Sequence, residues 1–344
     1  MPFIGTTYTE GLCPLVQQKL IDLSLQYTPQ FSRDSLGYLN AITSDFNRQA
    51  TGMWAHQVPG SGSYRGVEVT YVQRSLVSDV VNGTNAQPKC VDTGIDNGPQ
   101  AVTVEITQNA NYTLHFENDN LQRLCEPGMD FISGKIQSTF NAILTAIDQS
   151  ILVTQAANMG LFYDNAATKN INLISPLTLG VNPAAMSSLM LQNMLIGYQG
   201  PVMVIGDVDL LNFADLANYG CCSWGGVSID QMNGRFLPFL DPNITTAFGA
   251  GEFISLIPGT TQLLTFSRYN EPDKQYIDGM SSTGVVIDPV SGLPFDMRFV
   301  YDPRCNAWDV EISMWYQLFN LPSDVYAAGD TFNGVRGSLN WVIV

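Results

Sequence analysis

The chain has 344 residues, 45% of them hydrophobic and only 13% charged, with 31 acids against 15 bases and a net charge of -16. Such length exceeds the usual limit of one core and predicts two or more lobes. The acidity excludes a protein that wraps nucleic acid by neutralising phosphates, and no apolar run is long enough to span a bilayer.

A charged fraction well below the ~25% of ordinary soluble domains leaves a neutral polar surface, which suits burial against neighbours. The N-terminal residues MPFIGTTYTEGLCP have neither a basic nor an apolar leader segment, so a soluble protein not exported by the usual route is expected. Six scattered cysteines without a Cys-x-x-Cys pair read as free, mostly buried thiols in a reducing compartment, and the sequons at Asn82, Asn111 and Asn243 read as chance.

In chain order, residues 1–55 read as an extended arm. Its one helical hint is Val16, Leu20 and Leu23, between Pro14 and Pro29. From Gly66 the period changes to two: Val67, Val69 and Tyr71 alternate with Glu68 and Thr70. A second run, Val102, Val104 and Ile106, continues toward Tyr112, Leu114 and Phe116. The two form an extended β-hairpin over 60–117, with a Gly-, Asn- and Pro-rich tip at 82–99. A ribbon with so little apolar material needs a partner surface, and another copy of the chain would serve. The tip residues Asn82, Lys89, Asp96 and Asn97 are the interface candidates.

The strongest signal is a helix over 130–159. Ile136, Phe140, Ile143, Ile147 and Ile151 recur every three or four residues, with Asp130 placed to cap the start and Gly160 to close the end in a left-handed conformation. At 1.5 Å per residue about 28 such residues span roughly 42 Å, so the segment behaves as a spine. A second helix follows, capped by Asn182 with Pro183 at its first position, and Met186, Leu189, Met190, Met194 and Leu195 are its expected core stripe. The run PVMVI at 201–205 reads as a strand buried on both faces, and Asp207 as the cap of a third helix reaching Asn218. With short strands near 236–240, 253–257 and 263–266, these make a compact α+β lobe. Strands return at 285–287, 297–301 and 308–318. In the last, Trp308, Val310 and Ile312 open an apolar face long enough to be covered by the spine. The tail ends in a short apolar strand.

Catalytic signatures are missing where they would be expected. Gly128 to Lys135 superficially resembles a phosphate loop, but five residues separate its glycines and Ile136 stands where Ser or Thr is required. His56 and His115 lack Cys- or Asp-rich neighbourhoods, so no triad and no zinc site is expected. Asp207 and Asp209 begin like a calcium loop, but Leu211 occupies a ligand position. Cys221 and Cys222 read as buried thiols. No catalytic residue, cofactor or metal is assigned.

The order arm, β-ribbon, spine helix, α+β lobe and returning strands, with stretches such as IQSTFNAILTAIDQSIL and IDPVSGLPFD, resembles the major capsid proteins of tailed phages, the Hong Kong 97-type capsid fold. The resemblance implies an α+β fold with an arm (1–55), an extended loop (60–117), a peripheral domain (118–170 and 285–344) and an axial domain (171–284). It implies a non-enzymatic virion protein. Its partners would be many copies of itself in hexamers and pentamers, together with scaffolding, portal or decoration proteins, and packaged DNA would touch only its inner surface. No long charged segment precedes the arm, so any scaffolding would be a separate protein. Some family members crosslink subunits through a lysine in the extended loop; Lys89 is the only lysine in this tip, and an ordinary exposed lysine is the simpler reading. The alternatives are a tail or baseplate component, which would build rings or tubes, and a cytoplasmic hydrolase with a dispersed site.

Overall fold

The computed structural model describes residues 36–49, 53–57, 66–72, 100–117, 129–162, 164–173, 182–195, 198–210, 236–268, 277–278, 281–288, 291–302, 304–305, 307–322 and 337–344. The expected helix around Val16 to Leu23 and most of that after Asp207 lie outside them. The chain divides into two compact units. Residues Glu105–Ser150 and Leu264–Gln317 belong to one, and Ser35–Val104, Ile151–Leu263 and Leu318–Val344 to the other.

The first unit is organised by strand β13 (Ala307–Asn320), whose end from Leu318 belongs to the second, and which pairs antiparallel with β12 (Pro294–Asp302) on one side and β4 (Gln108–Glu117) on the other. Beyond β12 lie β11 (Ser281–Ile287) and β10 (Ile277–Asp278), and β9 (Thr261–Phe266) also pairs with β13. Val310, Ile312, Met314, Tyr316 and Leu318 are buried, as the alternation requires. On the opposite face the pattern breaks: Ser313 and Trp315 are buried too. The reason is local, because the Arg268 guanidinium lies 4.7 Å from the Trp315 ring. The Arg268 backbone N–H donates to Asp296 Oδ2 at 2.9 Å, fixing the chain there, while the Ser267 hydroxyl donates to Asp296 Oδ1. The run expected to continue from Val102 to Phe116 is two strands; its second half, β4, is the partner of β13.

The long helix, α3, spans Met129–Ala156. Ile136, Phe140, Ile143, Leu144, Ile147, Ile151 and Leu152 form its buried stripe. The helix begins one residue earlier than expected, so Asp130 falls inside its first turn and not at the cap position. Gly160 is not left-handed either: among the described glycines that conformation belongs to Gly249, Gly251, Gly259 and Gly292. The helix ends instead in a tightened turn, with Asn158 N–H donating to Gln155 O at 2.8 Å, and Gly160 N–H donates to Ser338 O at 2.9 Å.

The second unit contains a five-stranded sheet in the order β5 (Thr168–Ile171), β14 (Ser338–Ile343), β8 (Glu252–Leu256), β6 (Val202–Gly206), β7 (Phe236–Leu240). Every residue of β6 is buried, consistent with its continuous apolar sequence. Helix α4 (Pro183–Leu195) covers part of this sheet, and its start follows the sequence rule, with Ala184 N–H donating to Asn182 Oδ1 at 3.1 Å. Leu189 and Ala185 join Phe162, Ile171, Leu173, Val204, Leu210, Phe253, Leu339 and Trp341 in one core. The short helix α5 is Ile244–Ala247.

Two helices fall inside the stretch read as an extended arm: α1 (Gly37–Thr43) and α2 (Asp45–Gln49). Polar bonds fasten them. Tyr38 N–H donates to Asp241 Oδ2 at 2.8 Å, and Tyr38 Oη donates to Gln155 Oε1 at 2.8 Å. Buried Asn47 donates to Ile42 O and Thr261 O at 2.7 and 2.9 Å and accepts from Gly259 N–H at 2.8 Å. Gly37 sits against β7 so closely that a Cβ there would stand 2.3 Å from Leu240 O, a backbone atom. Gly37→Ala is therefore expected to destabilise this unit by about 1–3 kcal/mol through overpacking. Amide hydrogen exchange of peptides from β7 checks it, and unchanged exchange there would show that the backbone yields freely.

Candidate assembly surfaces

The groups that sequence reading set aside as non-catalytic have ordinary explanations. His115, on β4, lies on an exposed sheet face with Nδ1 2.7 Å from Oδ1 of its cross-strand neighbour Asp309. Asp207 Oδ1 accepts the N–H of Asp209 at 3.0 Å, the geometry of a helix cap. Cys305 departs from the expectation of burial. It is exposed in the turn between β12 and β13, and the nearby Asp302 carboxylate pushes its thiol pKa up, so the sulfur stays protonated and weakly nucleophilic. Among the described residues no group of three or more His, Cys, Asp or Glu side chains is placed to hold a metal, and no helix is long and apolar enough to cross a membrane.

Of the residues assigned to the spine, Ile136, Phe140, Ile143, Ile147, Ile151, Val310 and Ile312 are all buried. Phe140 stacks on Phe295 with ring centroids 4.5 Å apart, so the aromatic contact of the helix is to β12, the neighbour of β13. Trp308 pairs through its backbone with Tyr301 and Phe116. The tip candidates Asn82, Lys89, Asp96 and Asn97 lie outside the described residues.

A surface that sequence reading underestimated follows that tip in the chain. Strand β1 (Met53–Gln57), unexpected from the sequence, pairs antiparallel with β2 (Gly66–Tyr71), and β3 (Gln100–Glu105) completes a three-stranded sheet. Val67, Val69 and Tyr71 on β2 are buried, whereas β3 is exposed at every residue but Val104. Its outer edge carries no further strand among the described residues. Edges of this kind are usually blunted by lysine, proline or a bulge. QAVTVE has neither lysine nor proline, and Glu105 is its one charge. The signal was the alternation at Val102 and Val104, which reads equally well as a half-buried strand.

No protein-family model and no curated sequence matches this chain. Solved structures do. The chain superposes on a cyanophage A-1(L) capsid chain with a TM-score of 0.54 and 11% identity, over 93% of this chain and 95% of that one. A Mycobacterium phage Adephagia chain gives 0.44 and 11% over 91% and 97%, and a Staphylococcus phage Andhra capsid chain gives 0.43 and 8% over 84% and 83%. At such identities the likeness speaks for the fold. Along essentially its whole length, the chain has the α+β fold of a tailed-phage capsid protein, the Hong Kong 97-type fold.

Proposed function

We propose that this chain is the major capsid protein of a tailed phage, and that its copies assemble into the icosahedral shell around the genome. The observation that carries the reading is the capsid fold matched over 93% of the chain. The exposed, nearly uncharged edge of β3 and the low charged fraction support it. In this reading the protein is not an enzyme, and its function resides in its contacts. Residues 1–55 are the arm, 60–117 the extended loop, 118–170 with 285–344 the peripheral domain and 171–284 the axial domain, whose sheet also takes in β5 and β14 from the two peripheral segments. The tip residues Asn82, Lys89, Asp96 and Asn97 reach a neighbouring copy. The spine residues keep each subunit rigid enough that many weak contacts add through effective concentration. Copies form hexamers and pentamers, with scaffolding, portal or decoration proteins as further partners. Assembly takes place in the host cytoplasm, and the net charge of -16 keeps packaged DNA from adhering to the wall.

Electron microscopy of the purified protein, alone and in lysate, tests this. Closed shells of uniform size are expected. A homogeneous small oligomer that never closes, with or without other proteins, would overturn the reading, and open tubes or rings would point to a tail component.

A further inference from the structure

Helix α4 buries the wrong residues for an isolated subunit. Its inner side is Ala185, Leu189, Gln192 and Asn193, spaced i, i+4, i+7 and i+8, so two amides are buried, and Gln192 Oε1 has no hydrogen-bond partner among the described residues. Its outer side carries Leu191, Met194 and Leu195, spaced i, i+3 and i+4, which remain 53, 48 and 38% exposed. Met194 and Leu195 were expected in the core stripe; the helix is rotated away from that arrangement. Single exposed apolar residues need no explanation, but three long ones on one side of one helix, opposite buried amides, mark a surface that is covered in the working state.

Charge narrows what can cover it. None of the 13 residues of α4 is charged, so the helix offers nothing to a phosphate backbone or to a strongly basic or acidic partner. Two copies of a chain with net charge -16 repel at close range, and they approach most cheaply through faces that carry no charge. We propose that the outer face of α4, centred on Leu191, Met194 and Leu195, is a contact between copies of this chain. In a closed ring that face meets a different surface of the next copy, since the contact is head to tail. The proposal rests on the capsid reading and deepens it by naming residues that hold the shell together.

Met194 is a built-in reporter. A thioether exposed to water is oxidised by hydrogen peroxide to the sulfoxide, and a covered one is protected. Full-length protein is treated with peroxide as assembled shells and as dissociated subunits, and oxidation at Met194 is read by peptide mass spectrometry. Oxidation at least tenfold slower in shells is expected. Equal rates in the two states would overturn the α4 contact and leave the capsid reading standing. Protection already present in dissociated subunits would overturn it in favour of cover by the chain's own segments, and protection appearing only when a second protein is present would overturn it in favour of that partner. If no shells form under any condition, the capsid reading fails and the contact fails with it. As a second measurement, Leu191→Glu places a charge at a site that is solvated in the free subunit. Unchanged thermal unfolding with at least a tenfold lower yield of shells is expected, and an unchanged yield contradicts the proposal.

Discussion

Thr145→Pro is expected to lower the stability of the unit around α3 by roughly 3 kcal/mol or more, and to abolish shell formation before it abolishes solubility. Thr145 lies near the middle of α3, and its hydroxyl donates to Asn141 O at 2.8 Å. Proline there removes the backbone N–H that closes the helical turn onto Asn141 O, and its ring collides with the same carbonyl. The kink falls between Ile143 and Leu144 on one side and Ile147 on the other, all buried, so the stripe loses its register as well as a hydrogen bond. Thr145→Ala separates the two effects. It deletes only the side-chain back-bond on a partly exposed position and is expected to change stability by no more than about 0.5 kcal/mol. Circular dichroism and electron microscopy on both variants decide the matter. A soluble proline variant that forms normal shells would show that α3 is not the rigid member on which assembly depends.

What the sequence disclosed follows from how local the physics is. Helix α3 and strand β6 were legible because each carries its period, or its unbroken apolar run, within one segment. The start of α4 was legible because Asn182 and Pro183 act on the next turn of backbone. The orientation of α4 was not, since Met194 and Leu195 fit an apolar stripe as well as Ala185 and Leu189 do. The choice between them is made by a core gathered from β5, β6, β8 and β14. Helices α1 and α2 were missed for a related reason. Neither carries a long apolar period, and what fixes them is the distant Asp241, Gln155 and Thr261. Strand β14 looked like a terminal apolar strand, but nothing in its six residues says that it lies between β5 and β8. The candidate surfaces were the least legible of all. A catalytic site concentrates chemistry into a few recognisable residue types, whereas contacts spread over many weak pairs leave only composition behind: few charges, exposed Leu and Val, and a strand edge without a blocking lysine.

Strand β14 also supplies the second large expected effect. Trp341→Ala is expected to destabilise the five-stranded sheet by about 3–5 kcal/mol. The indole is 1% exposed, set edge-on against Phe162 with centroids 4.8 Å apart and stacked on Phe253 at 6.2 Å. Its Nε1–H donates to Ser255 Oγ at 2.8 Å. Removing it opens a cavity walled by Leu339 and other residues of β6, β8 and β14 and leaves the buried hydroxyl of Ser255 without its partner, two penalties that add. Trp341→Phe keeps much of the ring volume and loses chiefly the donor, so about 1–3 kcal/mol is expected. Because the chain has two units, a single melting temperature averages over both, and amide hydrogen exchange resolved by peptide is the better measurement. Peptides from β6, β8 and β14 are expected to exchange faster by roughly two to four orders of magnitude in Trp341→Ala, at about 1.4 kcal/mol per tenfold, while those from β12 and β13 change far less. Exchange in β6 at the rate of the unaltered protein would mean that the sheet is held by its strand pairing and not by the aromatic cluster beneath it.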